Sequence, residues 1–366
     1  MNNRCKRCLL PAVVPGSDLD AEGVCAFCRE ERGPREREAE RERQSFERDL
    51  EATLAAARGK ARYDALVCLS GGKDSLYLLY RLKVDYGLKL LAFTTDFNIP
   101  SIAWGNIRQA LSRLDIDHLV YRPSEAFYRK LLRYLLSHQE ERGAVYTVSY
   151  VYAPLFEGDA LAQAMALNIP LVFAGYSPGQ PERERMVYEF DPRLIAETDW
   201  TPPALRDAGL FDEDELSRFW NPIANAKRNA YPRYIAPLHA WDYAQDQIMD
   251  MVYEKGLVAR KRHANPILSN YPINWLLMYS DLRSFGYNPY APEFAGLIRE
   301  GKASLRYWRL MSPIVDFLIK NKLGPAREVS RSLAWLGMRP EELKISMPRG
   351  AYDPPYPVLA AAAQAV

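Results

Sequence analysis

The chain has 366 residues, 48% of them hydrophobic and 26% charged, with a formal net charge of +2. This is the composition of an ordinary folded soluble protein long enough for one large or two modest domains. No stretch approaches the ~18–20 uninterrupted apolar residues of a membrane span, and the start, MNNRCKRCLL, lacks the apolar run of a signal peptide, so a cytoplasmic protein is expected.

In chain order, residues 1–30 form a compact unit: CKRC, then PAVVPGSDLDAEGV, then CAFC. Residues 31–62 alternate Glu with Arg and have almost no apolar residue before Phe46. Acids nearly match bases here, which predicts an exposed linker helix laced by i,i+4 pairs in preference to a basic nucleic-acid arm. Between 63 and 240 the texture changes to short apolar runs alternating with helical stretches. DALVCLS, LKLLAFTTDF, DHLVYRP, IPLVFAGY and YIAPL read as five buried strands. Helices are expected through SLYLLYRLKVDYG, AWGNIRQALSRLD and GDALAQAMALN. Buried strands alternating with helices predict an α/β fold with a doubly wound parallel five-stranded sheet, and right-handed crossovers cover both of its faces. Residues 241–345 read as a helical C-terminal subdomain, and 346–366, rich in Pro and Ala, as a loosely held tail. No internal repeat is visible.

All five cysteines lie within the first 68 residues. Cys5-x2-Cys8 and Cys25-x2-Cys28 are separated by sixteen residues, the spacing of a zinc ribbon or knuckle, with four thiolates around a tetrahedral ion. Four protein ligands close the coordination shell, so the expected Zn2+ is structural. Thiolates suit iron–sulfur clusters as well, and that alternative stays open. Cys68, in an apolar run, reads as an inert core thiol.

Directly after the first expected strand, and opening a helix, stands Ser70-Gly71-Gly72-Lys73-Asp74-Ser75. Paired glycines let the backbone turn tightly and bring its N–H groups against phosphate oxygens. The helix N-terminus adds its dipole and free donors. Ser70 and Ser75 offer hydroxyls, Lys73 a positive charge, and Asp74 a ligand for Mg2+. This is not a Walker A loop, which needs four residues between its glycines and Ser or Thr after its Lys. By the crevice rule for open α/β sheets, Asp96 at the end of the second strand and Gly175 at the end of the fourth belong to the same site.

SGGKDS on a strand-to-helix turn resembles the PP-loop of ATP pyrophosphatases, the superfamily of GMP synthetase, asparagine synthetase and tRNA thiolation enzymes. The resemblance implies an adenine nucleotide alpha hydrolase-like fold and a loop that grips the β and γ phosphates of ATP. It also implies adenosine beside Asp96 and close nucleotide approach at Gly175. Members activate a substrate oxygen with AMP, which ammonia, an amine or a sulfur species then displaces. Sulfur-transferring members carry catalytic cysteines; here only Cys68 is left over, which favours ammonia.

The order of features, a CxxC…GVCxxC unit, a charged helix, then SGGKDSLYLLYRLK with YGLKLLAFTTDF, is similar to the N-acetyl sugar amidotransferase family of bacterial surface-polysaccharide (lipopolysaccharide) biosynthesis. That resemblance covers roughly residues 1–175 well and implies a nucleotide-linked sugar as substrate, its acetamido group converted to an acetamidine. Ammonia would come from a separate glutaminase. One departure is GAVYTVSYVYAPLFEGDALAQ, free of cysteine where members carry more. An N-terminal-nucleophile glutaminase would need Cys after Met1, and Asn2 stands there. Two rivals remain: a tRNA-modifying PP-loop enzyme and a non-catalytic nucleotide-binding scaffold. Arg183 and Arg185 in SPGQPERERM read as a surface loop or a phosphate clamp. The cluster Arg260, Lys261, Arg262 and His263 reads as an exposed helix end or as a binder of diphosphate or RNA. His118 and His239 receive no catalytic role, and the many tyrosines read as core and interface aromatics.

Overall fold

The computed structural model describes residues 4–30, 33–178, 186–222, 231–242, 244–269 and 271–353, the side chains of 33–36 and 267 aside. Seven strands are formed among them: β1 (Ala65–Cys68), β2 (Leu90–Thr95), β3 (Asp117–Tyr121), β4 (Gln139–Glu140), β5 (Leu171–Phe173), β6 (Arg233–Ile235) and β7 (Ile345–Met347). Five make one parallel sheet in the order β3-β2-β1-β5-β6, while β4 and β7 pair separately. All five expected strands are therefore in the sheet, in register Cys68 with Phe93, Val67 with Phe173 and Phe173 with Ile235.

Alternate residues of the strands feed two cores, as the two-residue period of a strand requires. Ala65, Val67, Ala92 and Phe173 pack under the helices Lys73–Tyr80, Ser101–Leu114 and Gln245–Glu254. Leu66, Leu91, Phe93 and Val172 pack against Ala160, Leu161 and Ala164 of the helix Ala144–Ala166, and against Trp200 and Trp220. Burial on both faces explains why β1, β2 and β5 read as unbroken apolar runs, whereas β3, expected to be buried, lies at the sheet edge and has no buried residue.

Three expectations change in detail. The charged stretch forms the helix Gly33–Ala57, with Arg43 paired to Glu40 and Glu47 as expected. It is not exposed throughout: Phe46, Leu50 and Leu54 recur every fourth residue, Leu50 and Leu54 are buried in the first core, and Phe46 stacks on Tyr188 with ring centroids 4.7 Å apart. Gln245–Glu254, in the stretch read as a C-terminal subdomain, buries Ile248 and Val252 in the sheet's own core. Of the remaining C-terminal helices, Ile273–Phe285 and Glu328–Leu336 pack on Glu125–Ser137 and the start of Ala144–Ala166, while Ala291–Arg299 places Leu297 in the sheet's core and Ala295 against the four-cysteine unit. Residues 346–353 of the expected tail are docked. Met347 pairs with Glu140, Tyr352 is fully buried and donates to the His138 carbonyl, and Asp353 meets Arg142 at 2.8 Å. The rest of that tail, 354–366, lies outside the described residues, as do Arg183 and Arg185. Among the described residues no helix is long and apolar enough to cross a membrane.

Candidate functional site

Strand order fixes where a ligand can enter. From β1 the chain winds outward through β2 and β3, then returns to lay β5 and β6 on the other side. The order reverses between β1 and β5, and the loops leaving adjacent strands diverge there to open a crevice. Ser70–Ser75 leaves β1 and Gly175 follows β5, so the glycine turn and Gly175 meet at the switch point.

The turn is built by two glycines with different duties. Gly71 has φ +78°, and a Cβ there would stand 2.4 Å from the Ala103 carbonyl oxygen of the adjoining helix. No side chain fits. Gly72 has ordinary φ and caps the helix Lys73–Tyr80, and a Cβ on it would meet only Ser70 Oγ at 3.5 Å. The hydroxyls of Ser70 and Ser75 lie 3.2 Å apart, Ser75 donates to the Gly72 carbonyl at 3.1 Å, and the Ser70 N–H donates to Ser75 Oγ at 3.3 Å. Buried Asn106 ties the turn down from behind, its amide donating to the carbonyls of Gly71 and His263, both at 3.0 Å. Lys73 is buried, with Nζ 2.6 Å from the Asp74 carboxylate.

Ser70, Gly72, Lys73, Asp74, Ser75 and Gly175 all line one crevice of about 350 Å³. Gly71 is buried and is not part of the lining. A Cβ on Gly175 would come within 2.9 Å of the Ser75 backbone nitrogen. A small residue is thus required at 175 by the loop itself, before any nucleotide is considered. Asp96 is not part of this lining; its carboxylate lies 3.4 Å from Arg122, while its neighbours Thr94 and Thr95 do face the crevice. Thr95 reaches Asp159 at 3.4 Å, a carboxyl that burial pushes up to about 7. The Thr94 hydroxyl donates to the Leu69 carbonyl at 2.7 Å, so His118, with Nε2 2.8 Å away, carries its proton on Nε2 and donates to Thr94. Burial lowers the pKa of His118. It braces Thr94 from the adjacent strand β3.

Phe156, Tyr234 and Tyr271 complete the walls and were not singled out as site residues. Tyr234 sits in β6, but Phe156 comes from the helix Ala144–Ala166 and Tyr271 from beyond the basic cluster, and no local pattern could have named them. Cys68 also lines the crevice, 3.8 Å from the Tyr234 hydroxyl, and burial pushes its thiol up to about 12. In the basic cluster Arg260, Lys261 and Arg262 are exposed, and Lys261 is paired with Asp250. The crevice can receive an elongated anion: backbone N–H groups, two hydroxyls and a lysine converge at one end, and aromatic rings line the other side.

The four cysteines form a second centre. Their Sγ atoms all lie within 4.8 Å of one another and are buried, with Cys5 to Cys28 at 3.8 Å and Cys8 to Cys25 at 3.6 Å. A tetrahedral ion with Zn–S bonds of about 2.3 Å places its sulfurs about 3.8 Å apart, so the set fits a single zinc-sized ion. The Cys25 N–H donates to Cys5 Sγ at 3.3 Å, and Arg299 donates to Cys8 Sγ at 3.4 Å. Burial works against ionisation of Cys5, but N–H groups of Cys25, Cys8 and Arg7 outweigh it and hold the thiol at about 6. Burial pushes Cys8 up to about 11 and raises Cys28 as well.

No protein-family model matches the chain, and no curated protein matches it. Among solved structures it is similar to NMN synthetase from Francisella tularensis, at 14% identity over 83% of this chain and 97% of that one, with a TM-score of 0.35. It is also similar to the U34-tRNA thiolase NcsA from Methanococcus maripaludis with its 4Fe-4S cluster, at 12% identity, 94% and 90% coverage and a TM-score of 0.34. A third is the NH3-dependent NAD synthetase from Campylobacter jejuni subsp. jejuni, at 13% identity, 84% and 97% coverage and a TM-score of 0.32. Overlaps this loose carry no weight for the chemistry, which rests on the geometry of the crevice.

Proposed function

We propose that this protein is a PP-loop ATP pyrophosphatase of the amidotransferase type. In this reading it transfers AMP from ATP to a carbonyl oxygen of an acceptor, releases pyrophosphate, and lets ammonia displace AMP. The observation that carries the reading is the Ser70–Ser75 turn, held open by Gly71 and Gly175 at the sheet's switch point with Lys73 and Asp74 at its edge. The turn's N–H groups, hydroxyls and helix end would hold the β and γ phosphates, with Lys73 offsetting their charge. Asp74 would hold Mg2+, which would supply positive charge against the charge that develops on the phosphates. The acceptor oxygen forms its bond to the α-phosphorus as the bond to the bridging oxygen breaks, and pyrophosphate leaves with the electron pair.

The acceptor proposed is the N-acetyl group of a nucleotide-linked sugar, with ammonia supplied by a separate glutaminase or from solution. Ammonia is favoured over sulfur because Cys68, the one thiol lining the crevice among the described residues, is held largely un-ionised at neutral pH by its burial. Zn2+ is proposed at Cys5, Cys8, Cys25 and Cys28 in a structural role. A tRNA-modifying enzyme is the second reading, supported by exposed Arg260 and Arg262 lying just before crevice-lining Pro266. Salt-sensitive tRNA binding would favour it.

The test uses a panel of UDP-linked N-acetyl sugars with ATP, Mg2+ and ammonium chloride, read by pyrophosphate and AMP. Asp74→Ala and Ser70→Ala should each lower pyrophosphate release by at least about 100-fold while the melting temperature holds. Normal turnover in either variant, or ADP and orthophosphate as the only products, would overturn the mechanism.

A further inference from the structure

Beyond the Lys73–Asp74 pair lies a second chamber of about 160 Å³ whose lining shares only Lys73, Asp74 and Pro266 with the crevice. Its walls come from parts of the chain far apart in sequence. Cys8 and Leu9 of the four-cysteine unit close one end. Trp275, Phe294 and Trp308 supply aromatic surface, with Phe294 and Trp308 rings 3.8 Å apart. Nothing in the nucleotide reading uses this space.

The charges on its walls do not balance. Asp74 is matched by Lys73 at 2.6 Å, and Asp316 by Arg4 at 2.6 Å. Glu293, carried on the helix Ala291–Arg299, is the third acid, and among the described residues it has neither an ion pair nor a hydrogen bond. It is part-buried and lines the chamber. Burial pushes its carboxyl up to about 7, against the positive charge of Lys73, which lowers it, because a part-buried carboxylate without a donor is costly. A ligand that brings a positive charge and N–H donors answers that cost, and aromatic faces beside it favour a cation further.

We propose that this chamber is the binding site for a small ammonium-bearing substrate, ammonium itself being the smallest member of the class, with Glu293 accepting its hydrogen bonds. The assignment rests on the proposed function for its place in a reaction, since it sets the amine-side substrate on the opposite side of Lys73–Asp74 from the nucleotide. Binding does not depend on that function.

The experiment therefore measures binding, on the full chain, by saturation-transfer NMR. The probes are propylammonium, the anion propionate and the neutral 1-propanol, and a fluorescent ATP analogue is titrated in parallel. Propylammonium should bind and the other two should not. Glu293→Gln should weaken propylammonium at least tenfold, Glu293→Asp should retain part of the binding, and the ATP analogue should bind all three proteins equally. Ala291→Phe, which narrows the chamber without touching a charge, should exclude propylammonium and serves if Glu293→Gln does not fold. Equal binding of propylammonium by wild type and Glu293→Gln, or equal binding of propionate, overturns the proposal. Failure of the ATP analogue to bind wild type, with propylammonium bound, overturns the nucleotide reading and leaves the chamber standing.

Discussion

Two adjacent glycines in one loop look equivalent in the sequence and are not equivalent in space. Gly71 needs both its positive φ and its missing Cβ, because the Ala103 carbonyl would lie 2.4 Å away. Gly72 needs neither. Gly71→Ala should therefore cost on the order of 1–3 kcal/mol of stability in backbone strain alone, and it should abolish binding of a fluorescent ATP analogue. Gly72→Ala should melt within a degree or two of wild type and keep measurable binding. The comparison is made by thermal denaturation and nucleotide titration on the same preparations, and indistinguishable variants would contradict the geometry. Gly175 belongs with Gly71, since its Cβ would press on the Ser75 backbone.

Among the elements, the four-cysteine unit is more than an appendage. Cys5, Cys8, Leu10 and Val24 share a small core with Ala295 of the helix Ala291–Arg299, and Ile298 packs against it. Arg299 of that helix reaches Cys8, Arg309 donates to the Lys6 carbonyl at 3.2 Å, and Arg4 pairs with Asp316. Metal removal should loosen the helix that carries Glu293 as well as the unit itself, because structural metal binding contributes folding free energy directly. Purified protein should carry zinc and no iron. Cys5→Ser, or exhaustive chelation, should lower the melting temperature. A brown protein containing iron, or an unchanged melting temperature, would remove zinc from this account.

For the whole molecule, one buried acid links the C-terminal helices to the sheet domain within a largely apolar contact. Asp281, in the helix Ile273–Phe285, is fully buried and accepts the N–H groups of Ala144 and Val145 at the start of the helix Ala144–Ala166. Burial pushes its carboxyl up to about 7, against the donors, which lower it. The unfolded chain returns it to about 3.9. Between those values the folded state binds more protons than the unfolded one, so stability from this group is present at low pH and is lost as pH rises toward and through about 7. Wild-type protein should lose more stability between pH 5 and pH 8 in chemical denaturation than Asp281→Asn does. Equal losses would show that the group does not titrate in that window.

The sequence by itself determined the sheet, the Ser70–Ser75 turn and the four-cysteine set, because each is encoded locally. Strands buried on both faces read as unbroken apolar runs, SGGKDS is six contiguous residues, and CxxC spacing is a property of short segments. Tertiary structure decided everything assembled from distant segments. Phe156 and Tyr271 reach the crevice, Asn106 braces Gly71, residues 346–353 dock, and Glu293 comes to stand beside Lys73 although 220 positions separate them in the chain. No periodicity carries that information. The position of such residues follows from which apolar faces pack together, and packing is settled by the whole core at once.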